Sequence, residues 1–254
     1  GYGPFPELGI QGAAIASAFS WAGALIGSLY VLIKREKLLA WPNLRFISDD
    51  WRMILKIGTP AALSNAMSPL SGALFMMILS THGTAVVAAY GAAQRIESIL
   101  ILVLMSLTSA LTPFMAQNFG ADNPERSFDG LFLSMRFAIV FQLGVFIMMV
   151  PLSIPLSALF SQEQAVQNQL WHYLMIVPFS YGFQGVMMML VSGLNALYQP
   201  IKAFQWSAMR LFLFTLPLAW FGGIVLGVEG VFFGIATGNI LGGILSYLFA
   251  LKLR

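Results

Sequence analysis

Two ionisable residues, Arg95 and Glu97, lie inside an apolar stretch that runs from about residue 83 to residue 117. Charged side chains are costly at membrane depth, and those that occur there usually carry a function. We therefore interpret Glu97 as a carboxylate that binds a proton or another cation beside a substrate route. The alternative is a structural carboxylate, hydrogen-bonded to another helix. We interpret Arg95 as a structural or interfacial anchor.

Helix geometry separates these two residues. At 100° per residue, Arg95 and Glu97 lie about 200° apart around a helix axis, so they cannot form a simple pair within the helix. Tyr90, Gln94 and Ser98 lie closer to the side of Glu97. We expect this polar face to point at a bundle interior or a water-filled cavity, with Tyr90 and Gln94 lining it. Glu97 comes about 14 residues after the preceding turn, which corresponds to a depth of ~21 Å.

Several side-chain amides lie in other apolar segments. Gln184, in PFSYGFQGVMMML, is a further candidate for lining the cavity. Asn65, Asn195 and Asn239 are candidates for a structural or gating role, because lone amides in membrane helices commonly hydrogen-bond between helices.

Residue types that support enzyme chemistry are scarce. The chain has two histidines, far apart, and no cysteine. We find no paired carboxylates, nucleophile elbow or phosphate-binding loop, so the sequence predicts neither a metal site nor an enzyme. No cofactor is expected beyond a coupling ion, H⁺ or Na⁺.

The composition places these residues in a membrane protein. Only 9% of the 254 residues are charged and 58% are hydrophobic, whereas about 25% of the residues of a soluble domain are charged. A spanning helix needs about 20 mostly apolar residues. Seven segments qualify: 8–33, 57–81, 83–117, 130–160, 168–198, 202–226 and 230–251. The third is long for one crossing, so we expect a single tilted or bent helix.

Basic residues alternate along the connections between these segments. Residues 34–56 contain six, whereas the turns near 80–84, 161–169 and 226–230 contain none. Basic loops remain in the cytoplasm, so residues 34–56 and the C-terminus are expected on the cytoplasmic side. Residues 34–56 are predicted to be an interfacial linker. Lys202 and Arg210 are interpreted as flanking the start of the sixth segment.

A weak internal repeat links the first and last segments. LGIQG at 8–12 resembles LGVEG at 226–230. Both begin helices of the same expected direction, as in a parallel repeat. The sequence is therefore expected to be a piece of a longer protein, with 1–33 holding the last helix of one lobe and 57–254 forming a second, six-helix lobe.

The stretches VAAYGAAQRIES, LTSALTPFMAQNFGADNPER, PFSYGFQG and SGLNALYQP resemble the second half of a MATE (multidrug and toxic compound extrusion) transporter. The resemblance covers essentially the whole chain. It implies an all-α membrane protein with two six-helix lobes, of which the N-terminal one is missing here. It also implies export of organic cations or drugs by H⁺ or Na⁺ antiport, in the bacterial cytoplasmic membrane.

Details of the motifs favour one branch of that family. RIES and PFSYGFQG look DinF-like, and segments 57–81 and 168–198 lack the carboxylates of the NorM-like branch. Two other functions are weighed. A flippase for lipid-linked oligosaccharides should have a more basic cavity than Arg95 alone provides, and a seven-helix receptor fits the repeat less well. The partners expected are the bilayer, the other lobe and an amphiphilic or cationic substrate, without nucleic acid.

Overall fold

The computed structural model describes residues 9–38 and 46–254, and the chain divides into two compact units, 1–52 and 53–254. In the first unit, helix α1 (Gly9–Tyr30) continues through a π-helical turn, Val31–Arg35. The predicted division into 1–33, 34–56 and 57–254 stays a prediction, and residues 39–45 of that linker lie outside the described residues.

Every regular element that the described residues form is helical, as predicted. Helix α2 starts in the first unit and enters the second, where the remaining helices follow. Their bounds are α2 Ile47–Ser80, α3 Thr84–Leu100, α4 Leu102–Gly120, α5 Pro124–Phe160, α6 Gln164–Ile176, α7 Tyr181–Ala196, α8 Pro200–Met209 and α9 Leu216–Leu253. A 3₁₀ turn (Pro178–Ser180) joins α6 to α7, and a π-helical turn (Arg210–Thr215) joins α8 to α9. Helix α2 begins ten residues before the predicted segment 57–81, so residues 47–56 are helical.

Local sequence signals account for several helix starts. The Asn123 side chain accepts a hydrogen bond from the Arg126 backbone N–H (3.3 Å), and Pro124 occupies the first turn of α5. Pro200 occupies the same place in α8. An asparagine cap followed by proline satisfies a free N–H and presets the helical φ.

The third predicted segment is a bent helix. Helices α3 and α4 meet at Ile101 with a bend of 46°. The buried Gln142 side chain of α5 donates to the Leu100 carbonyl at 2.8 Å. This bond satisfies an acceptor at the break, where the regular helical pattern ends. The bend lies one turn after Glu97, so it changes the direction of the polypeptide beside the candidate carboxylate.

Helix α9 turns back on itself at Gly227, whose φ of 64° and ψ of −142° suit only glycine. Around this turn the backbone of Gly222 contacts Gly230, and that of Leu218 contacts Gly234. Both pairs are symmetric about residue 226, so the two arms, 216–226 and 228–253, run antiparallel. The absence of a Cβ atom at these glycines permits the close approach.

Five of the described helices are long and apolar enough to cross a membrane, and the bent pair of α3 and α4 makes a sixth span. Residues 200–253 are one of these helices. The hairpin at Gly227 divides them into two spans, so the described helices match the seven predicted segments. The chain is a multi-pass membrane protein.

Helix α7 is central in the second unit, where it packs against α4, α5, α8 and α9. One apolar core cluster surrounds Tyr90, Tyr173 and Phe232, and another surrounds Leu104, Met135 and Met189. Large apolar side chains on the outer surface of the helices are exposed. Lipid can cover such a surface, whereas unpaired backbone groups would be costly there.

Candidate functional site

Two adjoining cavities open inside the second unit. We call the first the Glu97 cavity, of about 500 Å³, and the second the Asn195 cavity, of about 600 Å³. Both have a wall formed by Ser68, Ile101, Gln184 and Arg210. The bend between α3 and α4 therefore lies at the junction of the two cavities.

One face of α3 lines the Glu97 cavity. Tyr90, Gln94 and Glu97 are spaced by four and three residues, which aligns them along one side of a helix. The Gln94 Nε2 donates to the Tyr90 hydroxyl at 3.2 Å. The structure thus brings three sequence-predicted candidates to one cavity wall.

The Glu97 carboxylate is half-buried and has a donor for each oxygen. The Tyr173 hydroxyl of α6 donates to Oε2 at 3.0 Å, and the Gln184 Nε2 of α7 donates to Oε1 at 3.4 Å. Hydrogen bonds to a charged group are stronger than neutral ones. Glu97 therefore links three helices, α3, α6 and α7.

These donors are held by further partners in the α6–α7 turn and in α9. The Asn239 Nδ2 donates to the Gln184 Oε1 at 3.4 Å and to the Ser180 hydroxyl at 3.1 Å. The Tyr173 and Tyr181 hydroxyls lie 3.3 Å apart. Gln184 and Asn239 are predicted site residues, and the structure places both in the wall of the Glu97 cavity.

Arg210 is the site residue that sequence reasoning missed. It was interpreted as a charge flanking the start of the sixth segment, but it is half-buried and lines both cavities. The count of Arg95 as the one central basic residue was therefore wrong. The sequence feature that indicates a position within the membrane is that Arg210 lies ten residues into an apolar helix, about 15 Å from its start. The Thr215 hydroxyl donates to the Arg210 carbonyl (3.0 Å) across the π-helical turn.

The structure does not bring Arg95 to either cavity. Its side chain is exposed, and among the described residues no carboxylate lies within the 4 Å ion-pair distance of its guanidinium. Arg95 and Glu97 thus lie on different sides of α3. The anchoring role of Arg95 stays a prediction.

The Asn195 cavity contains the remaining candidates, Asn65 and Asn195. Two pairs of hydroxyls join helices at its wall, Ser64 with Ser207 at 2.7 Å and Thr112 with Ser192 at 2.6 Å. The methionines of α7 and α4 supply much of its apolar wall: Met105, Met187 and Met188.

The chemical groups in the two cavities suit the binding of small molecules. The described residues contain no group of three or more His, Cys, Asp or Glu side chains able to hold a metal ion. What the two cavities offer is a carboxylate with two donors, an arginine, and amide and hydroxyl groups between apolar walls. Such surfaces can bind a cation and an amphiphilic molecule.

Comparison with known proteins identifies the family. The MatE family model matches residues 60–221. The chain is 39% identical over 255 residues to a protein of Shewanella oneidensis named FAD transporter, and covers 56% of its length. It is 26% identical over 255 residues to the probable multidrug resistance protein YpnP of Bacillus subtilis, in a match that covers 96% of this chain and 55% of that protein. The chain spans about half the length of these two relatives.

Solved structures give the same result. The chain superposes on a point variant of the Vibrio cholerae MATE transporter VcmN with a TM-score of 0.88 and 31% identity, covering 97% of this chain and 56% of that one. The bent form of VcmN gives a TM-score of 0.86 at 32% identity. These relatives are transporters rather than enzymes, in agreement with the sequence-based prediction. The chain belongs to the MatE family of membrane transporters.

Proposed function

We propose that this chain forms one lobe of a secondary active exporter, which expels amphiphilic or cationic small molecules in exchange for H⁺ or Na⁺. The observation that carries the proposal is the Glu97 carboxylate, half-buried in a cavity wall within an apolar helix. The N-terminal lobe of the same protein is its expected partner. The expected location is the bacterial cytoplasmic membrane, with the C-terminus in the cytoplasm.

Glu97 suits the role of the coupling carboxylate for two reasons. An ionised acid at membrane depth is costly, so a site that retains one gains free energy when a cation neutralises it. The cavity also gives solutes access to the carboxylate, which a buried structural acid would lack.

A change in the charge of Glu97 would act on the packing of three helices. Tyr173 on α6 and Gln184 on α7 both donate to this carboxylate. A bound cation competes with those donors for the carboxylate oxygens and weakens their bonds. Loss of these bonds changes the contact of α3 with α6 and α7, which biases inward against outward opening. A ligand drives such a shift only through its unequal affinity for the two states.

The names of the relatives support export and leave the substrate open. The Staphylococcus aureus relative, 22% identical, is named multidrug export protein MepA, and the Bacillus subtilis relative is named a probable multidrug resistance protein. The Shewanella relative is named FAD transporter, and FAD is an anionic molecule with an aromatic ring system.

The test compares Glu97→Gln with wild type in ion-driven efflux by the full-length protein. We expect the substitution to abolish or strongly reduce the dependence of efflux on the H⁺ or Na⁺ gradient, because the amide cannot carry the charge. Glu163→Gln is the matched control, since Glu163 is exposed and outside both cavities. Unchanged transport with unchanged pH and sodium dependence in Glu97→Gln would remove this residue from the coupling role.

A further inference from the structure

The Asn195 cavity has a charge opposite to that of the coupling carboxylate. We propose that this cavity binds the anionic group of an acidic amphiphile, a phosphate or carboxylate on an apolar or aromatic body, with Arg210 as its principal ligand. The proposal rests on the proposed function and narrows its substrate class.

The position of Arg210 requires an explanation. A guanidinium is always charged, and Arg210 lies about 15 Å along a membrane-spanning helix, where a charge is costly. Arg210 is half-buried and lines both cavities. An arginine in this position is exposed to a ligand that enters the cavity, whereas a snorkelling arginine would extend toward the membrane surface.

The described residues leave Arg210 without a direct counterion. No carboxylate lies within the 4 Å ion-pair distance of its guanidinium in this part of the chain. Glu97 and Arg210 both line the Glu97 cavity, and they are not in direct contact. Among the described residues that line the Asn195 cavity, none is an aspartate or a glutamate. This cavity therefore has one positive charge and no negative one in its wall.

A polar group that lines the same cavity as Arg210 can complete an anion site. The Asn195 side chain makes no hydrogen bond to another described residue, and its Oδ1 atom is buried without a partner. Asn195 lines the same cavity, and its NH₂ group can donate to a ligand there. Arginine adds a planar set of donors that matches phosphate and carboxylate.

The apolar wall fits the rest of such a molecule. Met187 and Met188 of α7 and Met105 of α4 line the same cavity. Methionine side chains are flexible and polarisable, and they contact aromatic rings favourably. The volume of about 600 Å³ lies within the range of sites for small organic ligands.

The test uses two probes that share an aromatic ring system and differ by one phosphate, riboflavin and riboflavin 5′-phosphate. Equilibrium binding to the full-length protein is followed by flavin fluorescence without an ion gradient. We expect the wild-type protein to bind the phosphate form about 10- to 100-fold more tightly, the factor that hydrogen bonds to a charged group provide. This comparison needs no variant, so it does not depend on the folding of a mutant.

Variants then assign the difference to Arg210. Arg210→Gln should remove the preference for the phosphate form and leave riboflavin binding within about 2-fold, because glutamine keeps part of the aliphatic stem and a polar end but not the charge. Arg210→Lys should retain part of the preference, since the ammonium lacks the planar fork. Lys202→Gln is the matched control: Lys202 is an exposed residue of α8 outside both cavities, and its substitution should change nothing.

Two results would overturn the proposal: equal affinity of the wild-type protein for the two flavins, or a preference that survives in Arg210→Gln. A lipid headgroup could supply the same phosphate chemistry, so binding is measured in phosphatidylcholine and in phosphatidylglycerol nanodiscs. If phosphatidylglycerol weakens the binding of riboflavin 5′-phosphate to the wild-type protein but not to Arg210→Gln, the anion site is supported and the lipid phosphate is a ligand that competes for it. Failure of this proposal leaves the gradient dependence of wild-type efflux and of Glu97→Gln untouched, which separates it from failure of the proposed function.

Discussion

The contact between the second arm of α9 and the π-helical turn supports a quantitative prediction. A Cβ atom on Gly238 would lie 2.6 Å from the Cα atom of Thr215 and 2.9 Å from its backbone nitrogen. Ordinary van der Waals contact begins at 3.4 Å, so the two segments must separate by about 0.8 Å to accept Gly238→Ala. Rotamer changes cannot relieve this clash because the nearest atom belongs to the backbone.

Two opposing effects set the magnitude. Alanine is favoured over glycine in a helix by about 0.8–1.0 kcal/mol. Forcing an extra methyl group into a packed interface costs about 1–3 kcal/mol. Gly144→Ala in α5 provides the matched control, because nothing lies within 4 Å of a Cβ atom at Gly144. Gly144→Ala has only the gain in helix propensity, whereas Gly238→Ala has the same gain and the cost of the clash. The free energies of unfolding of the two variants should therefore differ by about 1–3 kcal/mol, the cost of the clash.

Thermal melting in detergent measures the difference. A shift of about 2–4 °C per kcal/mol applies to a domain of this size. We therefore expect Gly238→Ala to melt about 2–12 °C below Gly144→Ala. Equal melting temperatures, or a higher one for Gly238→Ala, would refute the close approach of Gly238 and Thr215.

Three further predictions concern single side chains. Gln142→Leu leaves the Leu100 carbonyl without its side-chain donor, which should cost about 1–3 kcal/mol; an unchanged melting temperature would contradict this. Tyr173→Phe removes the donor to Glu97 Oε2, so the proposed coupling cation should bind about 10-fold more tightly. The measurement is the cation concentration that gives half-maximal efflux, and weaker binding would argue against competition between Tyr173 and the cation for Oε2. Glu229→Gln changes the 3.3 Å contact between Glu229 and His172, whose side chains are 53% and 31% exposed, respectively. The free energy of unfolding, followed by thermal melting, should change by less than about 1 kcal/mol because solvent screens the contact. A larger loss would contradict this screening.

The periodicity of the sequence was enough to predict much of the Glu97 cavity. Tyr90, Gln94 and Glu97 share a helix face because their spacing is four and three residues, and that relation holds whatever the helix packs against. The length of segment 83–117 likewise predicted a tilted or bent helix, since it exceeds what one perpendicular crossing needs.

Features that depend on distant residues could not be predicted in this way. The bend falls at Ile101, in SILILVLM, where neither proline nor glycine marks a break. Its support comes from Gln142, 42 residues away. Gln184, which donates to Glu97, lies 87 residues away in the sequence. Charge counting also misplaced Arg210, because it treats a basic residue near the edge of an apolar segment as part of the flanking loop.

If Arg210 binds an anionic substrate as proposed, the membrane voltage acts on transport. Export of a monovalent cation in exchange for one proton moves no net charge. Export of a monovalent anion in exchange for one proton moves two charges, both in the direction that a negative-inside potential favours. Each charge contributes about 2.3 kcal/mol per 100 mV, so an acidic substrate would be expelled with about 4.6 kcal/mol of electrical driving force at that potential. Arg210 would then determine whether this lobe works in a voltage-sensitive or a voltage-insensitive pump.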